Sequence, residues 1–103
     1  PNSTPIASKE RDLFYQKEIL RGFYYNRACA FSMQGLLSRA MNDLAQYEKL
    51  LKSDDGKLPG WYYGHLLKDR DLDALKQSEM FKSWAEKNFS PDMFHRYLEL
   101  YFN

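Results

Sequence analysis

The stretch YYNRACAFSMQGLLSRAMNDLAQYEKLL, Tyr24 to Leu51, decides how this chain folds. It reads as two antiparallel helices joined through Gly35. Tyr24, Ala28 and Phe31 share one face of the first helix, and Ala40, Leu44, Tyr47 and Leu51 share one face of the second. Where helix axes approach to about 8–10 Å, the side chains at closest approach must be small. Ala28 and Ala40 meet that need, and the larger residues fill the space around them. Gly35 permits the reversal, because glycine takes positive φ with no Cβ penalty. Arg27 is expected to lay its stem on the following helix and to pair with a carboxylate there.

Upstream, PNSTPIAS places Thr4 as a cap before Pro5, a residue favoured at the first helical position. Ile6, Leu13 and Leu20 recur every seven residues, which predicts a leading amphipathic helix over 1–21. Gly22 either ends that helix or lies within a longer one running on to Met33. The second helix spans about 23–34, and Ser38 is positioned to cap a third that ends near Lys52. KSDDGKLPG, Lys52 to Gly60, is dense in turn formers and reads as a loop. Beyond it lies a short apolar segment, Trp61 to Leu67, and then Asp69 or Asp71 as the cap of a helical turn. Ser78 begins an amphipathic helix bearing Phe81 and Trp84, and Ser90-Pro91-Asp92 begins the last one. Phe94, Tyr97, Leu98 and Tyr101 there follow the i, i+3, i+4, i+7 pattern. No segment alternates with period two for long enough to make a strand. The expectation is an all-α single domain, 1–103: a leading helix 1–21, a helix pair 23–52, a loop 53–60 and closing helices 61–103.

Composition narrows the function. At 103 residues, with 44% hydrophobic and 28% charged positions, the chain has the makings of one folded core. Its net charge of +1 comes from 15 basic and 14 acidic residues without a basic block, so it lacks the footprint of a nucleic-acid binder. No apolar run nears the roughly 20 residues that span a bilayer, and no basic amphipathic helix suits a membrane surface. Aromatics reach 17%, either as a core built from rings or as a surface for a partner. The single Cys29 excludes an internal disulfide and is compatible with a reducing cytoplasm, the expected location. A start at Pro1, with neither methionine nor signal-peptide pattern, reads as an excised or processed fragment.

The helix pair resembles the tetratricopeptide repeat family. The matching positions are Ala28 and Phe31 in the first helix, Gly35 in the turn, and Ala40, Leu44 and Tyr47 in the second helix. Asn26-Arg27-Ala28 also resembles a stretch common in these repeats. The chain departs from the pattern at Lys52, where a terminal proline is usual, and at Tyr47, where alanine is usual. WYYGHLLKDRDLDALKQSEMFKSW is similar to the tail that closes some repeat arrays, at Asp71, Leu72, Asp73, Leu75, Ser78, Phe81 and Trp84. The resemblance covers about 23–84. It implies a repeat-like α-α superhelix of antiparallel hairpins with capping helices, working as a protein–protein interaction scaffold.

The same resemblance implies a peptide groove along the first helix of the pair. Its lining would be Tyr25, Asn26, Cys29, Ser32 and Met33, on the face opposite Tyr24, Ala28 and Phe31. Asn26 offers both donor and acceptor to a peptide backbone or carboxylate. One alignable repeat does not supply the full carboxylate clamp of the family's chaperone-tail binders. Asp69, Asp71 and Asp73 open like a calcium loop, but Ala74 replaces the turn glycine and Met80 the bidentate glutamate. His65 and His95 lack metal-ligand spacing, and Cys29 lies in an Ala-Cys-Ala stretch without a neighbouring base. The expectation is therefore a non-enzymatic module without cofactor or metal, binding a protein or peptide. A capping or self-associating role is the alternative, motivated by Phe94, Tyr97, Tyr101 and Phe102.

Overall fold

A computed structural model describes residues 5–103. Among them are six α-helices and no strand: α1 Pro5–Met33, α2 Leu37–Leu51, α3 Gly60–Lys68, α4 Asp73–Lys76, α5 Glu79–Asn88 and α6 Pro91–Tyr101. A 3-10 turn, Arg70–Leu72, leads into α4. The chain is all-α. The expected Thr4 cap lies outside the described residues.

The α1–α2 hairpin closes as its sequence requires. Gly35 has φ 78°, the Gly35 N–H donates to the Ser32 carbonyl at 3.0 Å, and the Leu36 N–H donates to the Phe31 carbonyl at 2.9 Å. This pair of bonds is a Schellman closure, which satisfies the last carbonyls of α1. Ala28 and Ala40 are both fully buried in one core cluster. Arg27 reaches across to Asp43 with two bonds, Nε to Oδ2 at 2.6 Å and a terminal nitrogen to Oδ1 at 2.8 Å. The anticipated carboxylate is Asp43.

Of the two readings left open at Gly22, the longer helix holds: α1 runs through it to Met33 as one element of 29 residues. One local expectation gives way. Ser38 does not cap α2, which starts at Leu37 with Leu36 in the cap position and no side-chain capping bond. The backbone closure at Gly35 already fixes the chain's entry into α2.

The closing helices dock by burying one polar handle at a time. Tyr62 of α3 is fully buried and donates its hydroxyl to Glu48 Oε2 of α2 at 2.6 Å. Leu72 and Leu75 are buried on the α1 side, where the Leu75 N–H donates to Ser32 Oγ at 3.1 Å. Ser78 and Ser90 cap α5 and α6 by accepting from the Phe81 and Met93 amides, as their sequence positions predict. Phe81, Phe89 and Tyr97 complete an aromatic cluster. Tyr97 also donates to the Lys76 carbonyl at 2.5 Å.

The leading segment departs most from expectation. Leu13 and Leu20 recur as a core stripe should, yet Leu13 is 59% exposed and Leu20 also faces solvent. The cause is length. At about 1.5 Å per residue, α2 is roughly half as long as α1 and cannot cover its first turns. The overhang stretches the molecule to 60 × 29 × 18 Å, with a radius of gyration of 16.2 Å. A compact domain of this size would have about 13 Å.

Candidate functional site

Where α2 ends against α1, a depression of about 400 Å³ opens between three helices. From α1 come Glu18, Arg21, Gly22, Tyr25 and Asn26; from α2 come Tyr47 and Leu51; α3 supplies Trp61. The site exists because α2 stops at Leu51 and the loop 52–59 carries the chain away before α3 returns. Gly22 leaves open space there: a Cβ built on it meets nothing within 4 Å. Trp61 stands 58% exposed at the start of α3, edge-on to His65.

One hydrogen bond and close ring packing set the aromatic floor of this depression. Tyr25 donates its hydroxyl to Asp69 Oδ2 at 2.5 Å, and its ring lies 5.0 Å from Tyr47 and 5.3 Å from His65. Burial, then the Asp69 carboxylate, pushes the Tyr25 phenol well above its ordinary range, so it stays neutral. Burial also raises Tyr47, against the opposing charge of Arg21. Arg21 pairs with Glu18. The result is an aromatic and aliphatic floor with one ion pair and one exposed amide, Asn26, beside it.

The five residues expected to line a groove part company. Tyr25 and Asn26 line the depression. Cys29 and Ser32 are buried by the chain itself, under the 3-10 turn and α4, with Ser32 Oγ engaged by Leu75. Met33 is exposed at the far end of α1. Trp61, Tyr47 and Arg21 come from outside that set. Helical periodicity puts Arg21 one turn before Tyr25 but gives no sign of Tyr47 and Trp61 as partners, because the site is made where α2 ends and α3 begins against the middle of α1.

Asp69 gathers a second polar cluster. Its Oδ2 accepts from Tyr25 and lies 3.8 Å from both Cys29 Sγ and His65 Nε2, while its Oδ1 accepts from the Asp71 amide at 3.1 Å. Cys29, Asp69 and Asp71 bring three ligand atoms within 4.8 Å of one another. Burial, then the Asp69 and Asp71 charges, pushes the Cys29 thiol up to about 12. It is therefore a protonated donor at neutral pH, the opposite of an activated thiolate.

No protein-family model, curated protein or solved structure matches this chain. Among the described residues no helix is long and apolar enough to cross a membrane.

Proposed function

We propose that this domain is a non-enzymatic, tetratricopeptide-repeat-like interaction module that receives a protein or peptide segment at the depression beside Trp61. The observation that carries the reading is the exposure of Trp61 over a floor of Tyr25, Tyr47 and Leu51, with Arg21 and Asn26 at hand. Exposed tryptophan beside an apolar recess is the composition of an interaction hot spot. Asn26 would bond the backbone of a segment whose apolar side chain enters the recess. The repeat-like reading draws support from the buried Ala28 and Ala40 and from the Gly35 closure. The protonated Cys29 favours a binding role over nucleophilic catalysis.

A displayed random-peptide library tests this. Peptides selected on the wild-type domain should bind Trp61→Ala at least tenfold more weakly, about 1.4 kcal/mol, with circular dichroism unchanged. Selected peptides that ignore both Trp61→Ala and Asn26→Ala would sink the assignment.

A second reading is self-association, and the exposed first half of α1 favours it. Leu13, Phe14, Tyr15, Ile19, Leu20 and Phe23 all face solvent there. A surface this apolar commonly marks an interface. The α6 rings, which had suggested the same role, are largely spent in the core: Tyr97 is fully buried, and Phe94 and Tyr101 are half-buried. Sedimentation over a wide concentration range decides between a monomer and a dimer that Ile19→Glu disperses.

A further inference from the structure

A second concavity lies between α3 and α6, formed by residues that the depression beside Trp61 does not use. It measures about 330 Å³. Leu67 and Met93 contribute half-buried apolar surface, and Leu100 is 57% exposed beside them. Lys68 and Arg96 line the same groove, and both are exposed.

The charges are not used internally. Neither Lys68 nor Arg96 forms an ion pair among the described residues. Asp92, one turn before Arg96 and also in the groove, leaves it unpaired, so the lining keeps one net positive charge. The volume falls within the roughly 300–1,000 Å³ usual for binding pockets. Apolar contact supplies affinity in such a groove, and a few charges set orientation and discrimination. Met93 adds a thioether side chain that adapts its shape to what it meets.

We propose that the α3–α6 groove is a second binding site, for a protein segment that carries an acidic side chain next to a large apolar one. The apolar residue lies on Leu67, Met93 and Leu100, and the carboxylate faces Lys68 and Arg96. The site is separate from the depression beside Trp61 and does not depend on it. Because the two cations are exposed on helix surfaces, reversing their charge leaves the core untouched.

Three short peptides with blocked ends, sharing leucine flanks and differing only in a central Asp, Asn or Lys, test the proposal by amide NMR titration. The Asp peptide is expected to shift the Gly64, Lys68 and Arg96 amides, to weaken with added salt, and to bind roughly tenfold tighter than the Lys peptide. In the Lys68→Glu/Arg96→Glu variant the preference should invert, while Trp61→Ala leaves it unchanged. Equal binding of all three peptides overturns the proposal, and so does the absence of shifts in the groove. Loss of binding in Trp61→Ala would assign the shifts to the other site and also overturn it. Isocaproate alone binding as tightly as the Asp peptide would make the ligand a small organic acid, not a protein segment.

Discussion

Lys76 ties the closing helices together from a buried position. It is fully buried, yet its ammonium donates to the carbonyls of Leu66 at 2.6 Å, Leu67 at 3.2 Å and Asp69 at 2.8 Å. Those are carbonyls at the C-terminal end of α3, where a cation also complements the helix dipole. Its own carbonyl takes the Tyr97 hydroxyl, so one residue ties α3 to α6. Burial lowers its pKa, opposed by Asp73 and Asp69. Lys76→Met keeps the stem and removes the cap, leaving buried carbonyls without donors. A loss of about 3 kcal/mol is expected, read by urea unfolding.

Glu48 shows the same balance, burial against its partners, with the shift in the acid's direction. It is buried beneath Tyr62, and that burial raises its pKa from 4.5, with the Tyr62 hydrogen bond and Lys52 opposing. The folded chain therefore holds the Glu48 proton at a pH where the unfolded chain has released it. Its contribution to stability is fully present below pH 4.5 and is lost as pH rises through the folded value. Glu48→Gln keeps an acceptor for Tyr62 and removes the titration. Its stability should vary less with pH above 4.5 than that of the wild type, and Glu48→Ala, which strands the Tyr62 hydroxyl, should be the less stable variant throughout. Chemical denaturation at a series of pH values checks both.

At the level of elements, punctuation was legible where the backbone demanded a particular residue. Gly35 at φ 78°, Ser78, and Ser90 before Pro91 each act where the sequence places them. Gly22 left two readings open for the converse reason: a glycine inside a helix weakens it without having to end it, and α1 runs on to Met33. With a Cβ there meeting nothing within 4 Å, Gly22→Ala should stabilise α1 by about 1 kcal/mol. Thermal unfolding followed by circular dichroism measures the gain. The same substitution puts a methyl group into the depression beside Trp61, so the stabilised variant should bind selected peptides more weakly.

Over the whole molecule, stability is unevenly spread. Residues 24–33 of α1 lie against α2 on one side and the 3-10 turn and α4 on the other, whereas 9–20 face solvent. An unsupported helical segment shorter than about 12–15 residues is marginal in water. Amides in 9–18 should therefore exchange with deuterium orders of magnitude faster than those in 24–33. Uniform protection along α1 in a dilute monomer would contradict this picture of the overhang.

The sequence by itself determined the helices, most of their ends, the small-residue contact of the hairpin and the Arg27 pairing. Those follow from periodicity and caps, which act between residues a few positions apart. Tertiary structure alone decided that Cys29 and Ser32 are covered, that the Leu13 and Leu20 stripe is bare, and that Trp61 joins Tyr25 across α2. It also made Lys76, unremarked in the sequence, a buried cap. These outcomes turn on where α2 stops and how far the closing helices reach, and local periodicity carries no information about either distance.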